Sequence, residues 1–221
     1  ATQPILIGSQ STARPKILGP VKLQRSNYVV ITNLEVHNER GHGVDIWASH
    51  HNVVINCYVH DSLGGPGTYA AGIYIRNSEL GDMPGVGAHL IMDNIIGDDD
   101  HEPVTDSQGP GPSNRPNARQ TNYGIKAMYN PGGFTTIRNN VIYGVVDGMS
   151  PLGDEQGAAI DPTVPDFLAT HPLTNQNLDV YDNIIYDVKD DAIEADGIVV
   201  NARFFRNLIG KAQASFFIAP I

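Results

Sequence analysis

Lys126, in Tyr123-Gly124-Ile125-Lys126, and Arg76, in Gly72-Ile73-Tyr74-Ile75-Arg76, are the residues best suited to proton-transfer chemistry. Abstracting a proton beside a carboxylate requires a base and a cation that neutralises the carboxylate. A lysine that is buried or lies among other cations can act as that base. The plain alternative for Lys126 is a solvated side chain on a sheet face. A second constellation is Asp-Val-Lys-Asp-Asp-Ala-Ile-Glu-Ala-Asp-Gly at 187–197. There Glu194 and Asp196 stand at i and i+2, about 7 Å apart on one strand face, with Asp190 and Asp191 in the turn before them. Carboxylates gathered at one turn suit calcium, which takes six to eight oxygens, and Asp191, Glu194 and Asp196 are the candidate ligands. Their spacing is not that of an EF-hand loop, and a solvated acidic turn is the competing reading. The run Asp98-Asp99-Asp100-His101-Glu102 also has metal-binding residue types, although acidic runs in loops are usually just solvated.

These residues are positioned by a repeat. Apolar residues, a spacer, an asparagine and further apolar residues recur around Asn33, Asn56, Asn94, Asn140, Asn183 and Asn207, spaced 23, 38, 46, 43 and 24 apart. The shortest intervals set a unit of about 23 residues, a plausible length for one coil of a parallel β-helix. The longer intervals are the same coil with inserted loops. A second element follows most of these units: GVDI at 43–46, GIYI at 72–75, GIKA at 124–127, GMSP at 148–151 and AIEA at 192–195, with SFFI at 215–218 in the last coil. Each coil then holds three short strands, and alternation turns Val44, Ile73, Ile125, Met149, Ile193 and Phe216 inward. Asparagine suits a tight bend because it tolerates the left-handed region, and stacked amides can hydrogen-bond from coil to coil. A β-sandwich with asparagine in ordinary hairpin turns would not repeat one unit six times. The fold class expected is all-β, a right-handed parallel β-helix of about six to seven coils with long loop insertions.

Stacking converts the repeat into columns about 4.8 Å apart per coil. One outward column reads Asp45, Tyr74, Lys126, Ser150, Glu194 and Phe217. The next reads Trp47, Arg76, Met128, Leu152, Asp196 and Ala219. Insertions at 61–71, 101–122 and 152–176 border this face and can build groove walls. His37 and His60 match as a repeat feature, since no third histidine follows them. Cys57 is the only cysteine, so no intrachain disulfide forms, and it is expected to fill core space.

The asparagine units and Gly-Ile-x strands, over about residues 25–221, resemble the pectate-lyase-like superfamily of right-handed β-helices. The opening PILIGSQSTARPKI is similar to an upstream strand and turn of such proteins. The resemblance implies that the face carrying Asp45, Trp47 and Tyr74 binds glycan, with the aromatics stacking on sugar rings or, as an alternative, covering neighbouring coils. The leading expectation is a polysaccharide lyase that cleaves an acidic, uronate-containing glycan, with Lys126 as base, Arg76 helping to neutralise the substrate carboxylate, and calcium on the acidic turn. A non-catalytic glycan-binding or structural module is the alternative. A glycoside hydrolase is a further one. The β-helical hydrolases carry Asn-Thr-Asp, Asp-Asp, Gly-His-Gly and Arg-Ile-Lys. Here Gly41-His42-Gly43 precedes Asp190-Asp191, and the first and last motifs are missing. Asp45 and Glu194 lie about 19 Å apart by coil counting, too far to pair as hydrolase carboxylates, whereas Glu194 or Asp191 with Asp196 could.

Composition bounds the partners. Hydrophobic residues make up 41% of the chain, which suffices for a core. The net charge of -10 repels nucleic acid and anionic membranes, and no apolar run approaches 18 residues. A polysaccharide partner and a secreted or cell-surface location are expected. The chain is expected to be a single β-helix domain, 1–221, that is a segment of a longer protein lacking its end caps, or one whose solenoid ends another subunit covers.

Overall fold

A computed structural model describes residues 3–64, 70–76, 87–99, 121–128, 134–150, 175–195 and 199–217. The chain winds as a right-handed parallel β-helix with three sheets. The first stacks Ile5–Gly8, Val29–Thr32, Val53–Ile55, Leu90–Met92, Thr135–Arg138, Leu178–Tyr181 and Arg203–Phe205. The second stacks Lys16–Leu18, Glu35–His37, Tyr58–His60, Ile95–Gly97, Val141–Tyr143, Ile184–Tyr186 and Leu208–Gly210. The third stacks Val21–Gln24, Val44–Trp47, Ala71–Arg76, Tyr123–Met128 and Asp147–Ser150, and single bridges carry it on to Ile193 and Glu194. A separate pair of short strands joins Asn175–Gln176 to Val199–Val200.

Each sheet contributes one vertical file of branched side chains to a common core. Ile31, Val54, Ile91, Ile137 and Val180 come from the first sheet, and Val36, Val59, Ile96, Ile142 and Ile185 from the second. Val44, Ile73, Ile125, Met149 and Ile193 come from the third, as alternation predicts. Phe216 follows them and packs edge-on against Phe204, yet in the last described coil it stays 40% exposed. Cys57 is fully buried, and burial raises its thiol pKa.

The bend between the first two sheets uses two adjacent positions, where the sequence pattern suggests one. The left-handed residue is Asn33, Asn56, Asp93, Asn139, Asp182 and Arg206 in successive coils, with φ of 53, 54, 56, 55, 57 and 55°. The next residue points inward and is Leu34, Cys57, Asn94, Asn140, Asn183 and Asn207. The six repeated asparagines are therefore not equivalent: the first two make the turn, and the last four build a ladder. In that ladder Asn94 Nδ2 donates to Asn140 Oδ1 at 3.0 Å, Asn140 Nδ2 to Asn183 Oδ1 at 3.0 Å, and Asn183 Nδ2 to Asn207 Oδ1 at 2.9 Å. Each Oδ1 also accepts the backbone N–H of the preceding coil, from Asn94 at 3.1 Å, Asn140 at 3.0 Å and Asn183 at 3.1 Å.

The glycines that start third-sheet strands follow from close approach. A Cβ at Gly72 or Gly124 would lie 2.4 Å from Ile96 or Ile142 of the second sheet, and 2.9 or 2.5 Å from the next coil's carbonyl oxygen. At these two positions only glycine lets the corner fold this tightly.

Removing a ladder amide strands several buried polar groups at about 1–3 kcal/mol each, whereas the exposed turn position asks only for a left-handed backbone. Asn140→Ala should destabilise the protein by about 3 kcal/mol or more, and Asn139→Gly by less than about 0.5 kcal/mol, as read from denaturant melts.

Candidate active site on the third sheet

The outer face of the third sheet carries the chemistry-bearing residues. Strand register places Lys22, Asp45, Tyr74, Lys126 and Ser150 in one column, which the bridges extend to Glu194 and Phe217. The neighbouring column holds Gln24, Trp47, Arg76 and Met128. These are the columns the repeat predicts, with Lys22 and Gln24 added from the coil below. Asp196 of the second column lies outside the described residues, as do Leu152 and Ala219.

Arg76 and Asp45 form a fork: Nε donates to Oδ1 at 3.3 Å and Nη2 to Oδ2 at 3.2 Å. The aspartate side chain is 7% exposed and the arginine 35%, so the carboxylate is committed inward while part of the guanidinium faces out. Trp47 and Tyr74 flank that guanidinium, with ring centroids 5.5 and 5.2 Å from Cζ. The two aromatics expected to stack on a ligand thus also clamp Arg76. Tyr74 donates its hydroxyl to Met128 Sδ at 3.2 Å. Lys126 is buried, and its ammonium sits 3.8 Å from the centre of the Tyr123 ring.

A third outward position, immediately before each strand-initiating glycine, went unnoticed in the sequence. It holds His42, Ala71, Tyr123, Asp147 and Asp191 in successive coils. His42 Nδ1 accepts the Ala71 N–H at 3.0 Å, so its proton resides on Nε2, and its ring leans on Tyr74 with centroids 4.4 Å apart. Burial lowers the His42 pKa to about 4; Arg76, Lys126 and Lys22 push the same way against Asp45. It is therefore neutral at physiological pH.

The opposite end of the face is acidic. Asp147, Asp190 and Asp191 bring carboxylate oxygens within 4.8 Å of one another, a group that could hold a metal ion. Asp147 Oδ1 accepts the Asp191 N–H at 3.2 Å. Of the three ligands expected from the sequence, Asp191 belongs to this group, Glu194 lies near enough to act on Asp147 electrostatically, and Asp196 falls outside the described residues. Asp147 was missed because it stands alone in Val-Val-Asp-Gly and only the winding brings it to the acidic turn. A second group of the same kind, His37, His60 and Asp61, lies on the second sheet.

The winding is that of a right-handed parallel β-helix.

Comparison adds little to that architecture. No protein-family model and no curated protein matches the chain. Among solved structures, an alginate lyase from Paenibacillus sp. str. FPU-7 is matched at 13% identity and a TM-score of 0.35, over 96% of this chain and 84% of that one. At that level of likeness no residue here takes a role from it. No helix among the described residues is long and apolar enough to cross a membrane.

Burial, then the charge of Glu194 and of Asp190 and Asp191, pushes the Asp147 pKa from 3.8 up to about 8. Within that window the folded state holds a proton that the unfolded state has lost. The stability this group contributes is complete below the lower value and drains away as pH rises to the upper one. Without added divalent ions, the melting temperature should fall between about pH 4 and 8, and Asp147→Asn should flatten that fall in thermal melts at graded pH.

Proposed function

We propose that the outer face of the third sheet binds an acidic polysaccharide and cleaves it by β-elimination. The observation that carries this reading is charge placement. On a chain of net charge -10, Lys22, Arg76 and Lys126 lie within four consecutive coils of one wall, around aromatic residues. The basic end of that wall attracts a polyanion, while its acidic end would do so only with a cation bound.

Lys126 in its neutral form takes the proton from the sugar carbon that bears the carboxylate. The released electron pair becomes a carbon–carbon double bond, and the bond from the adjacent carbon to the glycosidic oxygen breaks. The ammonium just formed can return its proton to that departing oxygen. Arg76, aimed by Asp45 and braced by Trp47 and Tyr74, binds the substrate carboxylate with its outward edge. Here Asp45 acts as a positioning residue, while Trp47 and Tyr74 also offer flat surface to sugar rings.

The acidic end fits a hard divalent ion, because three carboxylates meet there and their mutual repulsion is what a cation relieves. Asp147, Asp190 and Asp191 would hold calcium with Glu194 nearby, and the ion would supply further neutralisation of substrate carboxylates. A secreted or cell-surface location belongs to the same proposal, since that is where such polymers are met.

Incubation with a panel of uronate polymers and calcium should produce the ultraviolet absorbance of an unsaturated sugar. Lys126→Ala should lower that rate by about 100-fold or more, and Arg203→Ala, on the first sheet and paired with Asp179, should leave it unchanged. New reducing ends without unsaturation would make the protein a hydrolase. Glycan binding without turnover would make it a binding module. Either result overturns the lyase reading.

A further inference from the structure

On the second sheet, away from the glycan-binding wall and independent of its function, two histidines converge on one carboxylate. His37 and His60 are register partners in consecutive coils, with ring centroids 4.9 Å apart. Asp61, in the left-handed conformation at φ 49°, turns its carboxylate back toward them. Its Oδ2 lies 2.8 Å from His60 Nδ1 and 3.3 Å from His37 Nδ1. Asp99, from the following coil, places Oδ2 3.4 Å from the same His60 nitrogen. The far nitrogens are held as well: His60 Nε2 is 3.2 Å from Glu35 Oε1, and His37 Nε2 is 3.2 Å from Glu39 Oε1.

We infer that His37, His60 and Asp61 form a binding site for a divalent transition ion of the zinc type, which Asp99, whose oxygens here accept the Tyr58 and Tyr143 hydroxyls, completes by turning its carboxylate inward. Three observations support this. First, a neutral imidazole has one ring proton for the carboxylates at its two nitrogens, so whichever of Asp61 or Glu35 His60 serves, and whichever of Asp61 or Glu39 His37 serves, a nitrogen lone pair is left facing an oxygen that has only lone pairs. His37 Nδ1 is buried there without a hydrogen-bond partner among the described residues. A cation resolves the conflict, and carboxylate–histidine–metal relays are how ligating imidazoles are usually oriented. Second, the spacing fits, because the edge of a zinc tetrahedron with bonds of about 2.0–2.2 Å is about 3.3–3.6 Å. The 3.3 and 3.4 Å separations match that edge, and the 2.8 Å one needs to open by about half an ångström. Third, Glu35, Glu39, Asp61 and Asp99 surround the two imidazoles while Lys16 pairs with Glu35 alone at 2.9 Å, and a divalent ion offsets most of the remaining negative charge. Two imidazole nitrogens select zinc, cobalt or nickel over calcium and magnesium.

The site joins three coils, since its ligands come from the strands ending at His37 and His60 and from the residues after Gly97. Burial favours a fixed geometry: the His60 and Asp61 side chains are 6 and 9% exposed, while Asp99 at 42% leaves a path for entry. The bound ion would act as a clamp across the winding.

The test is a cobalt titration of the full chain after chelator treatment. One equivalent should give the intense visible bands of four-coordinate cobalt, which one equivalent of zinc should displace and calcium should not. Zinc should also raise the melting temperature. His37→Gln should weaken zinc binding by about 10-fold or more. His51→Gln, whose Nδ1 lies 2.9 Å from that of neighbouring His50, should leave it unchanged. If His37→Gln loses its β-rich circular dichroism, Asp99→Asn takes its place with the same loss expected. Pale six-coordinate spectra, absence of zinc binding, or binding indifferent to both site variants would overturn the proposal.

Discussion

An asparagine side chain offers two donors and an acceptor, and inside this solenoid each one is used to fix the distance to the next coil. Asn140 shows the pattern: Oδ1 accepts from the backbone N–H and side chain of Asn94, while Nδ2 donates to Asn183 Oδ1 and to the Ile91 carbonyl. The amide is fully buried, so no water competes for these bonds and a coil slipped out of register would leave them unmade. Hydrophobic files alone would tolerate sliding, because a branched side chain meets another at many offsets. The amide ladder has one register. From Asn94 to Asn207 the outer walls inherit their alignment from that bend, and the coils below, with Leu34 and Cys57 in its place, stack on the register it sets.

The fixed register explains how a strongly acidic chain presents different chemistry on its different walls. On the third sheet, alternation brings Lys22, Asp45, Tyr74 and Lys126 to one column although they are scattered over more than a hundred residues. On the second, the same alternation stacks His37 on His60, and the left-handed residue that follows His60 swings Asp61 across both rings. Long insertions between coils change the sequence distance between neighbours without moving them apart: Asn94 and Asn140 are 46 residues apart, Asn183 and Asn207 only 24, yet their side-chain bonds are 3.0 and 2.9 Å. Chemistry in such a fold depends on position within the coil far more than on separation along the chain.

That is why so much of the arrangement was legible in the sequence. Period-two alternation starting from Gly43, Gly72, Gly124 and Gly148 gave the correct inward and outward residues, because those glycines sit at a corner too tight for a Cβ and so mark strand phase reliably. The asparagines misled by one residue in the first two coils. Asn33 and Asn56 occupy the left-handed position and Asn94 onward the inward one, two roles served by the same amino acid for different reasons. Leu34 and Cys57 fill the inward position there, and nothing in residue type announces the switch. Asp147, and the place of His42 in the same column, were missed because the residue before each glycine varies from coil to coil, with no repeated type to draw attention to the column. Asp61 was missed as a partner of the histidines because its direction depends on a backbone angle. Lys126 and Arg76 were found by type and phase, but that Asp45 already holds Arg76 is a matter of side-chain geometry that no pattern reports.

Register across a long insertion is the most direct measure of the whole account. Thr136 and Asp179 face outward from the first sheet as neighbours in adjacent coils, whereas Thr136 and Arg203 stand two coils apart. Cysteines placed at neighbouring positions would have Cα atoms about 5 Å apart, inside the range a disulfide accepts, and two coils roughly double that. Under mild oxidation Thr136→Cys with Asp179→Cys should cross-link quickly and completely, while Thr136→Cys with Arg203→Cys should stay reduced. Equal cross-linking of both pairs, or bridging of the second alone, would contradict the stacked winding and with it both proposed sites.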